Sequence, residues 1–203
     1  MPFDTAIPTK PEKTMFDAAK PATKDQRNYA LRRIVYNTMI AAKALDVVPL
    51  SGSDYSQKEL AKAAGLIMAR NLDDYFFKQD RVVKRAVANG KTPNRQNAYT
   101  KPDDIFVSDF SLSWTPPPAA MIDETAYERI NKLVGHIVAE PPDPFKDPEA
   151  LAIIEPLVLT AIEFVQNTLA AAKASYTGKA GYYVRRLNGT LRKLGMATLP
   201  KPT

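Results

Sequence analysis

Residues 147–175, DPEALAIIEPLVLTAIEFVQNTLAAAKAS, decide the fold class of this chain. The stretch is apolar along nearly its whole length, and Asp147 followed by Pro148 is a typical helix start. A helix that is apolar on most sides is buried, either at the centre of a core or between subunits. Pro156 is expected either to kink this helix or to open a second segment. The stretch therefore predicts an all-α protein with a buried central helix.

Amphipathic patterns and end signals predict the other helices. Thr23 and Ser56 each begin a capping-box pattern, and Asp123 is a cap for a third helix. The second helix is expected either to break near residues 71–73, where Asp73 would cap a new segment, or to run unbroken for about 50 Å. The predicted fold is an elongated bundle of about five helices, of which four, besides the one above, cover residues 24–46, 57–89, 122–139 and 179–194.

Proline marks the parts of the chain that surround this bundle. Residues 1–23 are predicted to be an extended N-terminal arm, residues 24–195 the helical core domain, and residues 196–203 an extended C-terminal tail. Residues 90–121 form a long proline-rich loop. Within it DIFVSDFSLSW (104–114) alternates in polarity and is the only strand candidate. A strand over 104–115 would pair in a hairpin or with a neighbouring subunit; otherwise the segment packs extended on helices.

Composition excludes several classes of enzyme. The chain has no cysteine and one histidine, His136, which the helical pattern places on a polar face. Thiol nucleophiles, zinc ribbons and histidine-based metal centres are therefore excluded, and no glycine-rich phosphate loop is present. The adjacent acids at 73–74 and 103–104 are explained by helix capping and turn chemistry without a metal. We expect no catalytic site, no metal and no cofactor, and we interpret the Asn188 glycosylation sequon as accidental.

The length and charge of the chain limit the functions that remain possible. It has 203 residues, a net charge of +6 and no apolar run near the roughly 18 residues of a membrane span. No secretory signal pattern opens the sequence. Residues 24–46, 78–101 and 178–203 carry net charges of +3, +6 and +6, whereas residues 102–177 carry −8. This sorting predicts opposed faces, one for a polyanion and one for the basic surface of a neighbouring subunit.

The three basic blocks supply the candidate nucleic-acid contacts. Their bases recur at helical spacings, and guanidinium groups on such ridges can follow a phosphate backbone. Tyr99, Tyr182 and Tyr183 lie nearby in sequence as candidates for stacking. The alternative for any single run is a solvated helix face. The predicted nucleic-acid-binding residues are Lys24, Arg27, Arg32, Arg33, Lys78, Arg81, Lys84, Arg85, Lys91, Arg95, Arg185, Arg186, Arg192 and Lys193.

These features favour a packaging protein over a regulator or an enzyme. A regulator would show a compact helix–turn–helix, but the second helix is too long and the turn before it too wide. An arm, proline-rich connections and basic helices are typical of a coat subunit that binds nucleic acid without sequence specificity.

The plan resembles the major coat proteins of filamentous double-stranded DNA viruses of archaea, the rudivirus and lipothrixvirus group. The resemblance is carried by the arm over 1–22, YALRRIVYNTMIAAKAL (29–45), the long second helix and YYVRRLNGTLRKLG (182–195). It implies a capsid protein found in the virion after assembly in the host cytoplasm. It also implies a helical subunit, often paired with a copy of itself or a paralogous subunit, that encloses A-form DNA in a helical nucleocapsid.

Three other functions stay open at this point. The chain could coat a flexuous RNA filament, since RNA offers the same phosphates and no base-reading module is visible. It could be a viral connector or scaffold component without nucleic-acid contact. It could also be a helical enzyme with unrecognised carboxylate chemistry.

Overall fold

The computed structural model describes residues 22–50, 52, 54–88, 107–110, 112–117, 121–135 and 144–202, with the backbone alone at 78–88, 108, 134 and 135. The predicted arm, most of the long loop and His136 lie outside these residues. The described residues form no strand, and the all-α prediction is confirmed. They form a 3₁₀ turn, Val107–Phe110, and the α-helices α1 (Lys24–Val47), α2 (Tyr55–Ala88), α3 (Glu124–Gly135), α4 (Asp147–Ala170) and α5 (Ala180–Lys193).

Two of the predicted helix starts are confirmed. The Thr23 hydroxyl accepts the Gln26 amide at 3.2 Å, and the Gln26 side chain accepts the Thr23 amide at 2.8 Å, so both orphan donors are satisfied. At α3, the Asp123 carboxylate accepts the Ala126 amide at 2.8 Å. The capping box predicted at Ser56 is wrong, because α2 already begins at Tyr55.

The start of α4 differs by one residue from the sequence prediction. Lys146 is the N-cap, and the Glu149 carboxylate accepts its amide at 3.3 Å. Asp147 is therefore the first helical residue and not the cap. Its carboxylate accepts the Lys62 ammonium at 2.9 Å instead, which ties the beginning of α4 to α2. The helix continues through Pro156 without opening a second segment and ends at Ala170, short of the predicted 175.

Helix α1 is the central helix of the bundle, since it contacts α2, α4 and α5. Its closest approach to two neighbours is at Gly65 of α2. A β-carbon at this position would lie 2.5 Å from Cβ of Ala44 in α1 and 2.8 Å from Cδ1 of Ile154 in α4. No other residue fits this crossing without displacing a helix, because real β-carbons do not approach other atoms so closely. Gly65 thus sets the separation of three helices.

Helix α2 does not break near residues 71–73. Asp73 is fully buried, and its carboxylate accepts the amides of Met121 and Ile122 at 3.1 and 3.2 Å. The acid that was expected to cap a new helix segment therefore anchors the chain that leads into α3. A 34-residue helix spans about 51 Å, so α2 reaches well past the shorter helices.

The strand candidate over 104–115 forms no strand in the residues of it that the structure describes. Val107–Phe110 is a 3₁₀ turn, and 112–117 is not part of a strand. The Phe110 and Trp114 rings instead contact the Phe164 ring of α4 at centroid distances of 5.1 and 5.3 Å. The apolar side chains reach the core directly, which corresponds to the packing alternative. An extended segment needs a partner strand to form a ladder, and the described ranges contain none.

Candidate nucleic-acid interface

The interface candidate is the shared surface of α1 and α5. Four contacts join α1 to the stretch of chain, 173–183, that leads into α5. Each later residue of α1 contacts a later residue of that stretch, so α1 and α5 run in the same direction. The first contact is a hydrogen bond from Arg27 Nε to the Lys173 carbonyl at 2.7 Å, and the last is a ring contact with centroids 5.2 Å apart. In chain order the contacts are Arg27–Lys173, Asn28–Ser175, Arg32–Gly178 and Tyr36–Tyr183.

The solvent side of α1 alternates cations and tyrosines. Tyr29, Arg32, Arg33 and Tyr36 are spaced at helical intervals and are exposed or partly exposed. The Arg32 guanidinium lies 5.0 Å from the centroid of the Tyr29 ring, a cation–π distance. This stripe therefore offers hydrogen-bond donors beside flat aromatic surfaces.

Helix α5 carries its four bases in two columns. Arg186 and Lys193 lie on the side of Tyr183, which contacts α1. The other column, Arg185 and Arg192, faces away from α1. The Arg185 guanidinium lies 3.8 Å from the position of a β-carbon at Gly181, the glycine that also contacts the C-terminal tail at Pro202. Residues seven apart share a column and adjacent residues do not, because each residue turns the helix by about 100°.

The predicted bases of α1 and α5 have no acidic partner within the described ranges. No carboxylate there lies within 4.0 Å of Lys24, of the arginines at 27, 32, 33, 185, 186 and 192, or of Lys193. Three bases elsewhere are paired: Lys62 with Glu59 and Asp147, Arg70 with Asp74, and Arg129 with Glu149. These eight bases without an acidic partner in the described ranges lie on one pair of helices, α1 and α5.

The two helices that pack against α1 on the carboxyl-terminal side of the chain, α4 and α5, differ in charge. Residues 171–203, which include α5, carry seven bases and no acid, whereas α4 carries four acids and no base. Since α1 packs against both helices, a basic and an acidic region lie on either side of it. A surface of one sign raises the local concentration of ligands of the opposite sign.

Not every predicted residue lies on this surface. Arg27 is turned inward, where it donates to the carbonyls of Ala22 and Lys173. Its guanidinium therefore supports the fold, and a contact with nucleic acid stays a prediction. Lys24 is exposed at the start of α1. Lys78, Arg81, Lys84 and Arg85 lie in the part of α2 described by backbone alone, and Lys91, Arg95 and Tyr99 lie outside the described residues.

Sequence reasoning missed the two tyrosines of α1 as interface residues. Neither Tyr29 nor Tyr36 is among the nucleic-acid-binding residues predicted from sequence. The available signal was their seven-residue spacing around Arg32 and Arg33, which places all four on one side of a helix. Interleaved aromatic and basic residues are typical of surfaces that bind nucleic-acid strands.

The acidic and amide residues singled out from sequence have structural partners. The Asp74 carboxylate accepts the Tyr127 hydroxyl at 2.7 Å and pairs with Arg70 at 3.2 Å. Asn188 is buried, and its side chain exchanges two hydrogen bonds with the backbone of Leu199, which leaves no free amide for a glycan. The described residues contain no cluster of three potential metal ligands.

Comparison with known proteins finds no matching family model, no similar curated protein and no similar solved structure. Among the described helices, none is long and apolar enough to cross a membrane. The geometry and charge of the α1–α5 surface are therefore the features that bear on function.

Proposed function

We propose that this chain is a coat protein that binds nucleic acid without sequence specificity and polymerises into a helical nucleocapsid. The observation that carries the proposal is the α1–α5 surface, where bases with no acidic partner in the described ranges flank partly exposed tyrosines. We define the basic groove as Arg32, Arg33 and Tyr36 of α1 with Tyr183, Arg186 and Lys193 of α5.

Phosphate contacts account for binding of this kind. Each guanidinium presents a fork of donors that matches two phosphate oxygens, and phosphates carry no sequence information. The bases of the groove lie on the surfaces of two helices that run side by side, which favours contact along a strand over insertion of one helix into a major groove. The tyrosines add stacking or hydrogen bonding to sugars and bases.

The finer parts of the proposal come from the resemblance to coat proteins of filamentous archaeal viruses. On that basis the bound polymer is double-stranded DNA and the protein resides in the virion. The coat protein of an RNA filament is the alternative that uses the same groove. Equilibrium binding to duplex DNA, single-stranded DNA and RNA of mixed sequence distinguishes these ligands.

A salt series with charge-reversed variants tests the groove. A protein that neutralises about four phosphates, one for each base of the groove, loses affinity for duplex DNA with a slope of log K against log salt of about −3.6. We expect the doubly substituted Arg33→Glu, Arg186→Glu chain to bind mixed-sequence nucleic acid at least about tenfold more weakly, with a slope less steep by about 2.

The matched control is Lys58→Glu with Lys132→Glu, which changes the net charge equally at bases outside the groove. We expect this control to retain most of the wild-type affinity and slope. Affinity that does not depend on salt, or equal losses in the two double variants, would contradict the groove. Absence of binding by the unaltered chain at low salt would favour the connector or scaffold alternative.

A further inference from the structure

A second pair of surfaces is complementary between copies of the chain. The exposed side of α4 carries Glu155, Leu159 and Glu163 at successive four-residue intervals, which aligns them in one ridge. Leu159 at the centre is 47% exposed, although most of the apolar residues of α4 are buried or partly buried. We call these three residues the α4 ridge.

The acids of the α4 ridge are not used within the described part of the subunit. Neither Glu155 nor Glu163 has a base within ion-pair distance there, and α4 itself has none to offer. Two carboxylates that flank an exposed leucine form a small apolar contact with a charged rim. This is the general composition of protein–protein contacts, in which an apolar centre is surrounded by polar groups.

The outer side of α5 has the opposite pattern. Arg185 and Arg192 flank Gly189, and no atom of the described residues lies within 4 Å of the place where a β-carbon of Gly189 would stand. Tyr182, which is 51% exposed, lies seven residues before Gly189 and so borders the same gap. We call Tyr182, Arg185, Gly189 and Arg192 the α5 notch.

Nothing in the described part of the subunit requires a glycine at position 189. It lies within a helix and has no positive φ and no crowding neighbour. Glycine there weakens the helix relative to alanine. The described residues thus give no reason for the missing side chain, and close approach of another molecule supplies one.

We propose that the α4 ridge of one copy docks into the α5 notch of a second copy. Leu159 fills the gap over Gly189 beside the Tyr182 ring, and Glu155 and Glu163 pair with Arg185 and Arg192. The two acids are about 12 Å apart along α4 and the two arginines about 10.5 Å apart along α5, a difference well within the reach of the side chains.

The contact is heterologous, because each copy offers a ridge to one neighbour and a notch to another. Such contacts build rings or open helical filaments. The inference rests on the proposed function, to which it adds the interface between subunits. The notch borders the groove at Tyr182, whose ring contacts that of Tyr183 at a centroid distance of 5.8 Å. The docking contact uses none of the four bases of the basic groove, so these stay available to nucleic acid in the assembly.

Sedimentation velocity of the full chain over a concentration series, at low salt and without nucleic acid, tests the contact. One variant combines Glu155→Lys with Glu163→Lys, and the other combines Arg185→Glu with Arg192→Glu. We expect each alone to self-associate at least about tenfold more weakly than the unaltered chain. An equimolar mixture should recover assembly, because the reversed ridge then matches the reversed notch.

Filling the notch gives a test without a change of charge. Gly189→Leu should raise the helical stability of α5 and still weaken self-association, whereas Ala170→Leu at an exposed site near the end of α4 should leave it unchanged. A chain that stays monomeric at all concentrations, reversals without effect, or a mixture that does not recover assembly would each overturn the proposal.

Self-association and nucleic-acid affinity are measured separately, so that failure of the docking contact and failure of the basic groove can be distinguished. The Arg33→Glu, Arg186→Glu variant should assemble like the unaltered chain and lose affinity for nucleic acid. If the Arg185→Glu, Arg192→Glu variant loses nucleic-acid affinity and keeps its self-association, the notch is part of the nucleic-acid surface and the docking proposal is wrong. If the unaltered chain assembles through the ridge and binds no nucleic acid, the docking proposal stands and the coat function does not.

Discussion

Arg27 and Lys173 are 146 residues apart in the sequence, and the Nε of the first donates to the carbonyl of the second at 2.7 Å. A second donor of the same guanidinium reaches the Ala22 carbonyl. Next to this contact, the Asn28 side chain accepts the Ser175 amide at 2.7 Å. Together these bonds fix the start of α1 against the link between α4 and α5, and so fix the alignment of the two helices that form the basic groove.

We expect Arg27→Ala to lower the free energy of unfolding by about 1–3 kcal/mol, because a charged donor is lost from two backbone carbonyls. Arg33→Ala is the comparison, since Arg33 is exposed; its effect on stability should stay within about 0.5 kcal/mol. Urea denaturation followed by circular dichroism measures both. Equal stability of the two variants would mean that the Arg27 contact does not hold the helices together.

The hydroxyls of two tyrosines have opposite expected effects on stability. The Tyr75 hydroxyl is buried and has no hydrogen-bond partner among the described residues, whereas the Tyr127 hydroxyl donates to Asp74 at 2.7 Å and accepts from Arg70 at 3.0 Å. Tyr75→Phe removes an unsatisfied polar group and should leave stability unchanged or raise it by up to about 1 kcal/mol. Tyr127→Phe should cost about 1–2 kcal/mol.

Thermal unfolding of the two phenylalanine variants at pH 7 provides the comparison. The Tyr75 ring stays in its cluster with Phe76, Phe110 and Phe164 in either form, so only the hydroxyl changes. A Tyr75→Phe chain that unfolds more easily than the Tyr127→Phe chain would show that the Tyr75 hydroxyl has a favourable interaction.

Gly65 and Gly189 are both helical glycines, and their substitution by alanine should act in opposite directions. Gly65→Ala forces apart α1, α2 and α4, because its β-carbon would overlap Ala44, and we expect a loss of about 1–3 kcal/mol. Gly189→Ala meets open space and should raise stability by up to about 1 kcal/mol through helix propensity. Chemical denaturation measures both, and a stabilised Gly65→Ala chain would contradict the close crossing.

The ion pairs of Lys62 should make the stability of the fold depend on pH in the alkaline range. Burial lowers the pKa of Lys62, but its bonds to Asp147 and Glu59 raise the pKa, and the net shift is upward from 10.5. The folded state therefore retains this proton where the unfolded state loses it. Its contribution to stability is complete below about pH 10.4 and is lost as the pH rises through the folded pKa.

Substitution of Lys62 by methionine should remove that contribution. We expect the denaturation midpoint of Lys62→Met to fall less steeply between pH 9.5 and pH 11.5, about the unfolded lysine pKa of 10.4, than that of the unaltered chain. The tyrosines with raised pKa values, Tyr75, Tyr127 and Tyr176, destabilise both proteins in the same range, so the difference between the two curves isolates the lysine. Parallel curves would contradict the role assigned to the Lys62 ion pairs.

Sequence signals that span a few residues were sufficient to predict the helices. They were not sufficient to predict which residues the side chains of those helices contact. The Thr23 capping box and the apolar pattern of α4 act within a few residues, and both were readable from sequence. Asp73 shows where such reading fails, since an acid that caps a helix and an acid that bonds Met121 from the middle of α2 give the same local pattern. The strand candidate failed similarly, because Phe110 and Trp114 reach Phe164, a partner remote in sequence.

The residue types of the candidate site could be predicted from the sequence, but the side of α5 that faces α1 could not. The seven-residue spacing of the α5 bases predicts that Arg185 shares a side with Arg192. It does not tell which column faces α1, because that depends on the contact between Tyr36 and Tyr183. Arg27 belongs to a basic run by sequence, yet it is turned inward because backbone carbonyls of Ala22 and Lys173 lie within its reach.

The common direction of α1 and α5 gives the groove two unequal ends. Peptide dipoles in aligned helices add, so both amino-terminal ends contribute a partial positive charge to one end of the surface and both carboxyl-terminal ends a partial negative charge to the other. An anionic chain bound along these helices experiences a gradient of potential. The dipoles therefore add to the attraction of the bases near residues 24 and 180 and reduce it near residues 47 and 193, which gives the surface a polarity that a bound strand would sense.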